Sequence, residues 1–211
     1  MTKVKICGLK RKEDIDYINK YLPEYIGLVF AKSRREVSMD YAKELRQALS
    51  TDVKVVGVFV NEDIARVARI VADLNLDCIQ LHGDESPQYL NEIKKTINSK
   101  TEIWKAIRVR DEESINIMGL YKEIDAFVLD TYIEGTYGGI GKVFDWNLAY
   151  RAKEYGRIVL AGGLNTENVH KAIKLLSPSV VDTSSSVETE GLKDGEKIKD
   201  FINKVRSITE N

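Results

Sequence analysis

The sequence predicts an α/β fold of one kind, a single (β/α)₈ TIM barrel spanning residues 1–211, and three observations lead to it. Short apolar runs alternate with amphipathic stretches from end to end, giving eight strand–helix pairs; that alternation is the signature of parallel strands joined by crossover helices. The runs are apolar almost without interruption, as strands buried on both faces must be. The chain has 211 residues, three prolines and no Pro/Gly/Ser-rich linker, which fits one domain near the lower size limit of the barrel. An open, doubly wound sheet is the competing architecture.

The elements follow in order. Val4 and Ile6 open the first strand. Residues 11–22 form a helix, with Ile15, Tyr17, Ile18 and Leu22 at helical spacing. A strand over 25–30 precedes a helix over 39–49, and the β-branched run 53–60 is the third strand. Residues 62–74 place Ile64, Val67, Ala68, Val71 and Leu74 on one helical face. Strand 77–81 and helix 86–98 follow, then strand 101–107 and helix 111–121, then strand 125–129. A Gly-rich loop over 131–144 leads to a short helix over 145–155. Strand 157–161, helix 165–176, strand 179–182 and helix 194–208 complete the chain.

Composition excludes several classes. The formal net charge of -1 gives no electrostatic pull toward nucleic acid or a membrane surface. No apolar run approaches the roughly 20 residues of a membrane helix, and residues 1–10 lack the apolar core of a signal peptide. Two cysteines, Cys7 and Cys78, make no disulfide framework, which predicts a reducing cytoplasm. No Cys/His/Asp/Glu set has metal-binding spacing. Oligomeric state is open between a monomer and a small homodimer.

Barrels carry their active sites at the C-terminal ends of the strands, and reactive residue types collect there. Cys7 ends the first strand and precedes Gly8; Arg35 follows the second; Gln80 and His82 end the fourth; Arg108 ends the fifth and Asp130 the sixth. Gly162 and Gly163 follow the seventh, and Asp182, Thr183, Ser184, Ser185 and Ser186 the eighth. A buried cysteine is often only a small hydrophobe, but a strand end before a glycine is where a reactive thiol would sit. To act as a base Cys7 needs a lowered pKa, and Lys5 shares its face by strand alternation. Cys78 lies away from the C-terminal strand end and reads as structural. Asp130 is either a turn carboxylate or an acid kept protonated by desolvation or a nearby negative charge. The small-residue turns at 162–163 and 184–186 are either tight turns or a phosphate cradle of backbone N–H groups, helped by a helix N-terminus. Gly138-Gly139-Ile140-Gly141-Lys142 lacks Walker spacing and reads as a mobile substrate loop. By itself Arg35 would read as a solvated charge.

Taken together these residues resemble the phosphoribosylanthranilate isomerase family of tryptophan biosynthesis over nearly the whole chain. Lys5-Ile6-Cys7-Gly8, Lys32-Ser33-Arg34-Arg35, Gln80-Leu81-His82-Gly83, Lys105-Ala106-Ile107-Arg108, Leu129-Asp130, Gly138-Gly139-x-Gly141-Lys142, Phe144-Asp145-Trp146, Leu160-Ala161-Gly162-Gly163-Leu164 and Val181-Asp182 with Ser184-Ser185 occur in the family's order. The resemblance implies Cys7 as general base, Asp130 as general acid, Arg35 on the substrate carboxylate and a small-molecule phosphosugar substrate. The implied reaction is an Amadori rearrangement that uses no cofactor, because the substrate's own iminium acidifies the proton removed.

The chain departs from the family at three places. Ile140 replaces a usual threonine, Thr166 a common proline, and Ser186 a frequent glycine; a Cβ at 186 would restrict φ and tighten or tilt the phosphate turn. Two rivals stand beside this reading. A related barrel isomerase of histidine synthesis would carry aspartate where Cys7 stands, and a non-catalytic phosphosugar-binding barrel would not need Cys7, Asp130 and Arg35 together.

Overall fold

The computed structural model describes residues 1–131 and 146–208. Eight parallel strands close into a barrel in chain order: β1 (Lys3–Cys7), β2 (Tyr25–Val29), β3 (Lys54–Phe59), β4 (Cys78–Leu81), β5 (Glu102–Val109), β6 (Ala126–Thr131), β7 (Ile158–Leu160) and β8 (Val180–Thr183). Closure is made by β1 against β8, with Lys5 paired to Asp182 in register. The helices α1 (Lys12–Tyr21), α2 (Met39–Ala48), α3 (Ile64–Leu74), α4 (Pro87–Thr96), α5 (Glu112–Asn116), α6 (Trp146–Ala152), α7 (Val169–Leu176) and α8 (Gly195–Arg206) follow the strands in turn. The barrel expected from the sequence is present, and the open sheet is excluded by the β1–β8 ladder.

Period-two alternation sorts the strand side chains into two cores. Outward positions such as Ile26, Leu28, Ile79, Leu81, Phe127 and Leu129 pack with the apolar stripes of the helices. Inward positions form a separate buried cluster that includes Tyr25, Val56, Cys78, Trp104, Ala126, Val159 and Val180. Trp104 meets Tyr25 edge-on at 5.2 Å, and its indole donates to Glu102 at 2.8 Å. This layer fills the N-terminal end of the barrel, and Cys78 belongs to it, buried and away from the mouth.

Helix starts are chemically marked. Ser38, Asp63, Ser86 and Asp194 each accept a backbone N–H from the first turn of α2, α3, α4 and α8, which satisfies donors the helix cannot pair internally.

Three elements differ from the sequence expectation. The helix expected over 111–121 is α5 followed by a 3₁₀ turn over Ile117–Leu120, and α6 likewise passes into a 3₁₀ turn over Lys153–Tyr155. Helix α7 starts at Val169 rather than 165, because Asn165 Oδ1 accepts the N–H of Glu167 (2.9 Å) and Asn168 (3.0 Å) and holds a turn instead. A hairpin not foreseen follows β8: β9 (Glu188–Thr189) pairs antiparallel with β10 (Leu192–Lys193). Its two-residue turn puts Glu190 (φ 53°) and Gly191 (φ 77°) in the left-handed region, the requirement of a type I′ hairpin.

Candidate active site

A cavity of about 550 Å³ opens at the C-terminal end of the barrel. Eleven of the sequence-derived candidates line it: Cys7, Arg35, Gln80, His82, Asp130, Gly162, Gly163, Asp182, Thr183, Ser184 and Ser185. Arg108 and Ser186 are outside the lining. The loop over 132–145, with Gly138, Gly139, Gly141 and Lys142, lies outside the described residues.

Cys7 ends β1, and its thiol shares a face with Lys5 two residues earlier. Lys5 is fully buried and donates to Asp182 Oδ2 at 2.6 Å, as their register dictates. Burial alone would lower the Lys5 pKa; the Asp182 carboxylate and the thiol outweigh it and hold the ammonium charged. Burial pushes the Cys7 thiol up, while Lys5 and Lys193 pull it down. The lowered thiol pKa that a base would need is therefore not met, because desolvation exceeds the two cations. Burial likewise raises Asp182 against the pull of Lys5, and its Oδ1 is buried without a partner.

Asp130, near the end of β6, is buried. Its Oδ1 accepts the Thr131 N–H at 2.8 Å and its Oδ2 lies 3.2 Å from His82 Nε2. His82 Nδ1 lies 2.7 Å from Gln80 Nε2. With the amide donating to Nδ1, the ring proton sits on Nε2 and faces Asp130. Gln80 Oε1 is left buried without a partner. Gly162 (φ +77°) is required beside this carboxyl, since a Cβ there would come within 2.8 Å of Asp130 Oδ1 and 2.5 Å of Thr131 Oγ1.

The turns after β7 and β8 stand side by side. Thr183 Oγ1 and Ser186 Oγ both donate to the Leu164 carbonyl, at 3.0 and 2.6 Å. Ser186 has no positive φ, so its Cβ imposes no strain; its hydroxyl instead pins the eighth-strand turn to the seventh. The amides before α7 are engaged by Asn165 and Asn168, so any anion cradle here is made by the glycine and serine turns rather than by a helix N-terminus at 165. We predict that Ser186→Ala costs about 1–2 kcal/mol of stability, because its hydroxyl bonds both Leu164 and Thr183, and leaves phosphate affinity within about twofold; urea unfolding and phosphate titration read the two effects separately.

Arg35 is set over the mouth by a tight reversal after β2, where Glu36 N–H donates to Ser33 at 3.2 Å and Val37 N–H to Val29 at 2.9 Å. Its stem crosses Gly8, whose φ is +80° and where any Cβ would overlap Arg35 Cδ. The space above Gly8 thus seats an arginine. Far from being a solvated charge, Arg35 is 12% exposed and bonds Glu188 through Nε (2.7 Å) and Nη2 (3.0 Å). Glu188 also meets Lys193 Nζ at 2.9 Å. Arg35 and Lys193 hold its carboxyl down at about 2 although burial opposes them. Sequence reasoning missed Glu188 and Lys193; the Glu190-Gly191 turn flanked by short extended pairs was the local signal for their hairpin. Arg108 pairs with Asp84 and is not among the residues that line the cavity.

Among the described residues no cluster of three or more His, Cys, Asp or Glu is placed to hold a metal, and no helix is long and apolar enough to cross a membrane. The arrangement offers a thiol and a carboxyl on β1 and β6, a small-residue turn pair suited to an anion, and an arginine from the loop after β2. The family model described as N-(5′-phosphoribosyl)anthranilate isomerase matches residues 4–204. The chain belongs to the N-(5′-phosphoribosyl)anthranilate isomerase family. An N-(5′-phosphoribosyl)anthranilate isomerase of Acetivibrio thermocellus is 55% identical over 211 residues, covering 98% of this chain and 96% of that one. The crystal structure of phosphoribosylanthranilate isomerase from Thermotoga maritima superposes with a TM-score of 0.89 at 37% identity, covering 98% of this chain and 100% of the other. A second phosphoribosylanthranilate isomerase structure, in complex with reduced 1-(o-carboxyphenylamino)-1-deoxyribulose 5-phosphate, gives 0.85 at 34% identity, covering 98% and 100%.

Proposed function

We propose that this barrel converts N-(5-phosphoribosyl)anthranilate to 1-(2-carboxyphenylamino)-1-deoxyribulose 5-phosphate in tryptophan biosynthesis, with Cys7 as general base and Asp130 as general acid. The observation that carries the role assignment is that one cavity is lined by the β1 thiol, the β6 carboxyl, the paired small-residue turns and Arg35. The turns at 162–163 and 184–185 take the phosphate through backbone N–H groups. Arg35 takes the anthranilate carboxylate as a charge-assisted pair. Val29, Phe30 and Val58 line the cavity beside it and face the aromatic ring.

Asp130 protonates the furanose ring oxygen, the C–O bond breaks, and the lone pair of the anthranilate amino nitrogen closes a Schiff base at the anomeric carbon. Cys7 removes the proton from the adjacent carbon, and the electron pair flows to the cationic nitrogen. The enolamine then tautomerises to the aminoketone. To supply its proton Asp130 must first carry one. Turning the Gln80 amide would let Oε1 accept from Nδ1–H of His82, leaving Nε2 to accept from the Asp130 acid. Gln80 and His82 thereby hold the acid in either protonation state. Two free thiols, Cys7 and Cys78, suit the reducing cytoplasm in which such an enzyme would act.

The test is turnover of N-(5-phosphoribosyl)anthranilate followed by fluorescence. Asp130→Asn is expected to lower kcat by about 10²- to 10⁴-fold, the usual worth of a positioned proton donor. A near-normal kcat in that variant removes Asp130 from the mechanism.

A further inference from the structure

We propose that Glu188 and Lys193, on the β9–β10 hairpin, are positioning residues that hold Arg35 with one guanidinium edge presented to the substrate carboxylate. The inference rests on the reading of Arg35 as the carboxylate anchor. A guanidinium has two edges able to grip a carboxylate. Glu188 occupies the inner one, through Nε at 2.7 Å and Nη2 at 3.0 Å. Arg35 lines the cavity, while Glu188 and Lys193 stand behind it, outside the lining. The outer edge is therefore the one available to a ligand.

The support is itself held. Glu188 is 5% exposed at its side chain and Lys193 1%. Lys193 Nζ reaches Glu188 Oε1 at 2.9 Å and the Ser184 carbonyl at 2.9 Å. The Ser184 hydroxyl in turn donates to the Cys7 carbonyl at 2.9 Å. One strut thus fixes the carboxylate anchor relative to the phosphate turn and the base. The pairing does not cancel the anchor's charge. Arg34 meets the same carboxylate at 3.1 Å, so Arg34, Arg35 and Lys193 together outweigh Glu188. A long arginine left unheld would have to be ordered by the ligand, which weakens binding.

The experiment compares two ligands in wild type and variants by calorimetry. One is the reduced carboxyphenylamino-deoxyribulose phosphate; the other is the same molecule with an unsubstituted phenyl ring. Wild type should prefer the carboxylate-bearing ligand. Glu188→Gln should lose about tenfold in affinity for it, the scale on which unsupported binding groups fail, and keep its affinity for the phenyl ligand. Its KM should rise with kcat unchanged. Equal weakening of both ligands would show a merely structural hairpin, and unchanged selectivity would show that Glu188 does not position Arg35; either overturns the proposal. Lys193→Met reads the same selectivity through the strut should Glu188→Gln fold poorly. If wild type itself binds both ligands equally, the Arg35 reading fails first, and visibly so before any variant is made.

Discussion

Cys7→Ser is expected to lower kcat by about 10²- to 10⁴-fold while leaving the KM within a few fold. A serine hydroxyl keeps the shape of the site but yields no useful base near neutral pH. The pH dependence sharpens the test. As pH rises the Cys7 thiolate fraction grows, and burial places that titration above the ordinary thiol range. Asp130→Asn leaves Cys7 as the remaining proton-transfer group. Its residual kcat/KM should therefore climb about tenfold per pH unit toward the Cys7 titration, which burial pushes up. A flat residual profile from pH 7 to about 9 would mean that the Cys7 thiolate is not the base.

Lys5→Met is expected to destabilise the barrel by about 3–5 kcal/mol, the cost of stranding a buried carboxylate. Asp182 would lose its 2.6 Å partner, and its Oδ1 already has none. The urea midpoint should fall with the m-value unchanged. The double variant Lys5→Met/Asp182→Leu should recover most of the loss, because removing both charges removes the desolvation cost as well. A double variant as unstable as the single one would show that volume, not charge, is what Lys5 supplies. The single variant also takes away the nearer of the two cations that act on Cys7. Alkylation of Cys7 by iodoacetamide at fixed pH should slow accordingly.

The alternation of apolar runs was legible because each strand must be buried on both faces and each helix on one. Residue type and place along the strand also found part of the cavity: Cys7, Gln80, Asp130 and Asp182 follow from inward alternation near a C-terminal strand end. What escaped was what depends on partners far along the chain. Arg35 alone looks like a surface charge, and Glu188, 153 residues away, is what buries it. Arg108 fits the inward pattern, yet it pairs with Asp84 and is not among the cavity's lining residues. Helix α7 was read too early because Asn165 competes for the backbone donors that would have started it. Ser186 was read as a steric burden, but its hydroxyl finds Leu164 and its φ is ordinary.

The ladder between β1 and β8 joins the two ends of the chain: Lys3 N–H donates to Ser179, and the Ser184 hydroxyl to Cys7. During synthesis the first strand emerges long before its neighbour exists. The Cys7 thiol then has no Asp182, no Ser184 turn and no Lys193 around it. Contacts of such sequence separation form late, so the sulfur acquires most of its charged surroundings only as the ring closes. A truncated chain ending before β8 would accordingly expose a plain, unpartnered Cys7 and bind no phosphate, and proton-transfer chemistry would begin in the same step that completes the barrel.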